Sequence, residues 1–258
     1  MLSRRAILKA MLGLCGCRAC ATAGLSTVAT SAGAEPTHIP GRGYDMHFVG
    51  AQRDTITNGK IAALIDVRTL AKIPHLYGIG PIEQLRGEVT IIDGRPSLSR
   101  VGPNRSILVS ENFETGAPFL VWAEVPAWRT IPIPPEVRSF ADLEAFVPRA
   151  AATVDLDPQQ PVPLLVHGQQ DLIEFHVLNR VGDEPYRPAK IKEIQVPFDL
   201  AHVGATIVGF YSPSHHGIFT TTDSSMHIHF QTARNDASGH IHALEIGAGA
   251  ALSLPQAG

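Results

Sequence analysis

Apolar positions along the chain recur first at helical and then at strand spacing. After a Thr57-Asn58-Gly59 turn, the apolar run from Ile61 to Val67, with Leu70 and Ile73, suits a short helix ending near Pro74. Thr37 to Gly43 is a polar arm containing Pro and Gly. Tyr77-Gly78-Ile79-Gly80-Pro81 opens an extended region, and Glu88 to Ile92 reads as a strand closed by an Asp93-Gly94 hairpin turn. Ser106 to Ser110 and Phe119 to Val125 are further strand candidates. From Ser139 to Val147 the pattern turns helical, with Ser139 as N-cap, Asp142 at its third position and Leu143, Phe146 and Val147 on one face. Asp155 to Pro163 is rich in Pro and Gln and reads as a linker. Beyond it come strand-like segments at Leu164 to His167, Leu172 to Leu178, Val203 to Tyr211, Gly217 to Thr222, Met226 to Thr232 and His240 to Ile246. The C-terminal half is thus expected to be β-rich.

The first 34 residues belong to neither half. Ser3-Arg4-Arg5-Ala6-Ile7-Leu8-Lys9 carries a twin-arginine export pattern, and an Ala/Gly-rich stretch leads to a small-x-small cleavage site at Ala32-Gly33-Ala34. Arg18 interrupts that stretch, which is too short and polar to span a bilayer. Residues 1–34 are therefore expected to be removed as a signal peptide, placing the mature protein in the periplasm or outside the cell. Cys15, Cys17 and Cys20 are the only cysteines, so the mature chain carries no disulfide. Four of the 21 Lys and Arg residues, and no acid, lie in the leader, leaving 17 basic against 24 acidic residues, a net charge near −7. No basic run appears, which argues against nucleic acid as a partner. No later stretch reads as a membrane span. The expected partners are a small-molecule substrate and, at most, a second copy of the chain in a homodimer.

Histidine is the residue type out of balance: seven of the twelve fall between His202 and His242. In a strand, residues two apart share a face, about 6.6–7 Å apart along the chain, so His227 and His229 can turn onto one ion. The turn-rich segment Ala233 to Gly239 should fold the chain back and set His240 on the neighbouring strand. Three neutral imidazoles with a vacant fourth position suit a catalytic zinc; iron or nickel would accept the same donors. His242 shares a face with His240, and His215-His216 lies just upstream. A cupin barrel also begins its site with H-x-H, but follows it with a Glu within a few residues. Here the next positions are Phe230, Gln231, Thr232, Ala233 and Arg234.

These residues stand in a context that resembles the acetolactate decarboxylases. Gly204 to Pro213 resembles that family's G-T-I-V-G-F-x-(S/T)-P segment, and His216-Gly217-Ile218, His227-Ile228-His229-Phe230 and Ser238-Gly239-His240 follow in its order. Gly78-Ile79-Gly80, Leu85-Arg86-Gly87-Glu88-Val89, Asp93-Gly94 and Pro185-Tyr186-Arg187-Pro188 resemble its remaining motifs. The resemblance implies an α+β or mixed α/β fold of two domains, each built on a mixed β-sheet. An N-terminal α/β domain would span 35–155 and a β-rich metal-binding domain 156–258. It further implies zinc held by His227, His229 and His240, with Glu88 as the nearby carboxylate. The activity implied is decarboxylation of a 2-hydroxy-3-oxo acid, acetolactate to acetoin, through a metal-stabilised ene-diolate. Three departures accompany it. Pro81 replaces the family's Thr, the family's strand arginine falls at about Val177, and the chain reaches Gly258 without the further C-terminal acid. Arg180 or Arg187 is a candidate to replace that arginine, and Glu174 or His176 to supply an acid or base. The alternatives are a related C–C lyase with another substrate, a non-catalytic metal or small-molecule binder, and a zinc hydrolase.

Overall fold

Two antiparallel sheets face one another, and the alternation of side chains along their strands decides what fills the space between. The computed structural model describes residues 33–257, so nearly all of the expected export signal over residues 1–34 lies outside the described residues. In chain order the strands are β1 (Thr37–Gly41), β2 (Tyr44–Val49), β3 (Ile65–Asp66), β4 (Leu76–Pro81), β5 (Glu88–Ile92), β6 (Arg95–Val101), β7 (Ile107–Ser110) and β8 (Gly116–Ala117). They continue as β9 (Leu120–Glu124), β10 (Trp128–Pro132), β11 (Val162–Leu178), β12 (Gln195–Tyr211), β13 (Met226–Thr232), β14 (Ser238–Ile246) and β15 (Ala251–Pro255). The helices are α1 (Gln52–Ile56), α2 (Phe140–Ala152) and α3 (Ile191–Ile194).

The first sheet has the order β1-β2-β9-β4-β5-β6-β7 and the second β10-β15-β11-β12-β13-β14. The two-stranded pair β3-β8 stands apart. Every pairing between these strands is antiparallel. β11 also pairs with β14, so β11, β12, β13 and β14 close into a ring. The described chain is thus rich in sheet with few helices. β10, which precedes the expected boundary at 155, pairs with β15 of the second sheet, so the sheets divide the chain near Val125 instead. Residues 33–258 form one compact unit.

One apolar cluster joins the two sheets: Met46, Tyr77, Ile79 and Val121 from the first pack with Phe175, Ile207, Ile228 and Phe230 from the second. The opposite face of the first sheet has its own cluster, in which Val89, Ile91, Leu98 and Trp122 meet Val67 and Leu70. On β5 and β6 the period of two leaves Glu88, Thr90, Ser97 and Ser99 on the face toward the second sheet, all buried. They are cross-strand neighbours, Glu88 opposite Ser99 and Thr90 opposite Ser97. Four buried polar groups on an inward face break the usual pattern and mark where the site lies.

Other expectations are corrected by pairing. The expected helix from Ile61 is not formed. Ile65 and Asp66 pair with Ala117 and Gly116, and only Val67–Leu70 winds as a 3₁₀ turn, where Asp66 accepts a hydrogen bond from the Arg68 N–H at 3.0 Å. Their apolar spacing serves to cover the first sheet. The Thr37 arm instead forms the β1-β2 hairpin. Gly217 to Thr222 is a turn, not a strand, closed by Gly217 N–H donating to the Thr220 carbonyl at 2.9 Å. The two strands expected on either side of Gly168 are one, bent where Gly168 takes φ 130° and where the register against β14 shifts after Gln170. α2 forms with the expected capping box: the Asp142 N–H donates to Ser139 Oγ at 3.2 Å, and the Ser139 N–H to the Asp142 carboxylate at 3.0 Å.

Candidate metal centre

β13 alternates between core and cavity. Met226, Ile228 and Phe230 enter the shared core, so His227 and His229 must face the other way. The tight turn between β13 and β14 then fixes the third histidine. Thr232 N–H donates to the Ala237 carbonyl at 3.0 Å, and the resulting register sets His240 directly opposite His229. One ligand atom from each of His227, His229 and His240 lies within 4.8 Å of the others, the separation three donors around a single ion require.

The outer nitrogens of two rings are already committed. His227 Nδ1 donates to the Phe219 carbonyl at 2.9 Å, which leaves Nε2 as a lone pair. His229 Nδ1 lies 3.1 Å from Thr90 Oγ1, while its Nε2 is buried with no hydrogen-bond partner. His240 Nδ1 faces His227 Nε2 at 3.0 Å. Burial holds all three imidazoles below their usual pKa, His227 to about 4 and His229 and His240 well below the ordinary value, neighbouring histidines adding to the last two. The rings are therefore neutral at physiological pH, the form that ligates. An orphaned buried nitrogen beside two further lone-pair donors fits a metal ion.

Glu88 enters from β5. Its side chain is 2 % exposed, and Oε1 accepts from the Leu178 N–H at 3.2 Å. Burial pushes its carboxyl well above the usual carboxylate range, only partly opposed by that hydrogen bond. His176 comes from β11, where it pairs with His240 and packs against it at a tilt of 36°, with ring centroids 4.7 Å apart. Burial, then the nearby His242 and His227, lowers it to about 3. His176 Nε2 and Glu88 Oε1 are 3.8 Å apart, too far for a hydrogen bond. Burial thus shifts the two groups in opposite directions, the acid up and the imidazole down.

A cavity of about 160 Å³ brings these groups together: Glu88, His176, His227, His229 and His240 line it, with Phe119 and Leu178 among its apolar walls. Arg180 is not among the lining residues. Its guanidinium donates to Gln84 Oε1 at 3.3 Å and to the Glu184 carbonyl, tying down the loop after β11. Arg187 and Glu174 are exposed. Val177 faces the core and is fully buried, whereas the cavity-facing residues of that strand are His176 and Leu178. An arginine at 177 would point away from the site. Thr90 went unnoticed in the sequence, although the inward polar pattern Glu88-x-Thr90 opposite Ser97-x-Ser99 could have revealed it. His215 is held by Ser212 Oγ at 2.8 Å and stacks on Phe219, one turn away from the ligands.

Fold and site together define a two-sheet protein with a candidate three-histidine metal centre beside a buried acid. The family model for alpha-acetolactate decarboxylase matches residues 48–256, and the chain belongs to that family. No curated protein matches it significantly. Among solved structures, a Staphylococcus aureus protein of unknown function similar to alpha-acetolactate decarboxylase is 16% identical, covers 81% of this chain and 84% of its own, and has a TM-score of 0.67. Alpha-acetolactate decarboxylase from Bacillus subtilis strain 168 is 17% identical, with 81% and 83% coverage and a TM-score of 0.61. Acetolactate decarboxylase from B. subtilis subspecies spizizenii is 17% identical, with 82% and 85% coverage and a TM-score of 0.63. These similarities establish the fold.

Proposed function

We propose that the protein is an exported, zinc-dependent lyase that decarboxylates a 2-hydroxy-3-oxo acid, with His227, His229 and His240 as ligands. The observation that carries this reading is the buried, unpartnered Nε2 of His229, which shares one cavity with two further imidazoles and the buried Glu88. When bound, the metal supplies Lewis-acid stabilisation of the charge that develops on substrate oxygens. The chain's own residues do the rest. The three rings present neutral donors, and the cavity walls Phe119 and Leu178 keep water away. Breaking the bond to the carboxyl carbon releases carbon dioxide and leaves an electron pair on the neighbouring carbon, which then takes up one proton. Glu88, whose carboxyl burial pushes well above the usual carboxylate range, is the group placed to deliver it. His176 packs against His240 and lines the same cavity, a position suited to orienting substrate.

One observation favours an acid other than acetolactate. Among the described residues, no Lys or Arg lines the cavity, and its polar wall includes Gln52, Gln195, Thr221 and Thr222. A substrate carboxylate would be held there by neutral donors. The twin-arginine pattern supports export, a route that carries folded chains with their ion already chosen.

Metal analysis of the purified mature chain, paired with acetoin formation from racemic acetolactate and carbon dioxide release from related acids, tests the reading. Stoichiometric zinc with turnover of at least one acid is expected. A chain that binds no metal, or that releases carbon dioxide from none of the acids, would refute it.

A further inference from the structure

We propose that Thr90, a residue of the first sheet, is the positioning residue that sets the tautomer of His229 and so presents Nε2 to the metal. The inference rests on the metal-site reading above and adds a side chain from the other half of the molecule. Thr90 is fully buried, and its Oγ1 lies 3.1 Å from His229 Nδ1. An Nε2 that ligates keeps its lone pair, so on the metal-site reading the ring hydrogen belongs on Nδ1. Thr90 Oγ1 is then an acceptor for Nδ1–H. Nε2 keeps its lone pair, buried and without a partner, the state in which a ligand is preorganised rather than merely near.

The placement follows from the fold. Thr90 is two residues from Glu88 on β5 and so shares its face, while Val89 and Ile91 enter the apolar cluster behind. One short strand thereby delivers both the acid and the ligand's hydrogen-bond partner. Valine has nearly the shape of threonine and suits a buried strand at least as well, so packing alone does not call for a hydroxyl here. The other committed ring offers no comparable handle, because His227 is fixed by a backbone carbonyl.

The test uses the mature chain as wild type, Thr90→Val and Thr90→Ser, with two readouts that need no turnover. Zinc affinity is measured by competition with a chromophoric chelator. The tautomer is read from imidazole ¹⁵N spectra of the metal-free protein, with His229 assigned by its loss in His229→Gln. In wild type, His229 should carry its hydrogen on Nδ1. Thr90→Val should weaken zinc binding about 10- to 100-fold, the usual cost of losing a ligand's hydrogen-bond partner, with Thr90→Ser staying within roughly threefold. A wild-type spectrum with the hydrogen on Nε2 would overturn the proposal, as would Thr90→Val binding zinc as tightly as wild type. Should Thr90→Val fail to fold, the wild-type tautomer and the Thr90→Ser affinity still decide. Failure of the wild type to bind zinc would sink the metal reading, and the tautomer would then judge Thr90 alone.

Discussion

β5 of the first sheet and β13 of the second meet beside the same cavity, and each carries two polar side chains at a spacing of two on the face toward the other. On β13 these are His227 and His229; on β5 they are Glu88 and Thr90. Both strands put apolar residues on the opposite face, Ile228 and Phe230 in one case and Val89 and Ile91 in the other. The chemistry differs. The second sheet offers lone pairs, and the first offers a proton and a hydrogen-bond acceptor. Burial disfavours charge on both, raising the Glu88 carboxyl and lowering the imidazoles. Three uncharged imidazole donors would leave a bound divalent ion as a large local charge in the site. Each half is thereby incomplete without the other: ligands without the acid would hold an ion but deliver no proton.

The comparison is broken most severely on the second sheet. His229→Ala removes the ligand whose Nε2 is orphaned in the metal-free chain, and with it the Lewis acid. Several kcal/mol of transition-state stabilisation should be lost, a fall of at least about 10³ in kcat/KM together with loss of stoichiometric metal. Full activity in this variant would mean that the triad is not the centre. On the first sheet, Glu88→Gln keeps the shape but removes the group that can give up a proton. kcat should fall by about 10²–10⁴, as for loss of a general acid, while zinc content stays at the wild-type level. Loss of metal from Glu88→Gln would assign Glu88 to the ligand set and erase the division of labour between the sheets.

What could be read in the sequence follows the same division. The histidine triad was legible because its geometry is local: a period of two in Met226 to Phe230, one tight turn, and a partner on the next strand. Glu88 carried no local signal and became a candidate only through family resemblance, since its place in the site depends on β5 meeting β13 across 139 residues of chain at the Thr90–His229 contact. Thr90 was missed for the same reason. The helix expected at Ile61 failed because apolar spacing cannot tell which surface the residues will cover; here they cap the first sheet. Val177 and Arg180 show the limit of matching an arginine by sequence position. One residue of offset on a strand exchanges core for cavity, and the structure turns Val177 to the core and His176 to the site.

Arg180 supplies a smaller test. It is buried and spends its guanidinium on Gln84 and Glu184, so Arg180→Gln should act on stability and leave the site alone. A cost of about 1.5–3 kcal/mol in urea unfolding is expected from lost hydrogen bonds to a charged group, with zinc affinity and the KM of any accepted acid within roughly twofold of wild type, since no contact to the lining is removed. A KM raised tenfold at unchanged stability would instead place Arg180 against the substrate.

The smallest effect probes whether the two sheets are energetically separate. Ile228 lies between the ligands on β13 in the shared core, and Ile91 lies on β5 in the cluster behind the first sheet. Each Ile→Val change deletes one buried methylene-sized group and should cost about 0.5–1.5 kcal/mol. The two sites share no apolar cluster, so the double variant should show the sum of the single costs to within about 0.3–0.5 kcal/mol. Neither change alters the register that sets His229 opposite His240, so zinc affinity should hold in both. Coupling well beyond that margin would mean that β5 transmits packing strain to β13. The polar face carrying Glu88 and Thr90 would then be a mechanical link between the sheets as well as a chemical one.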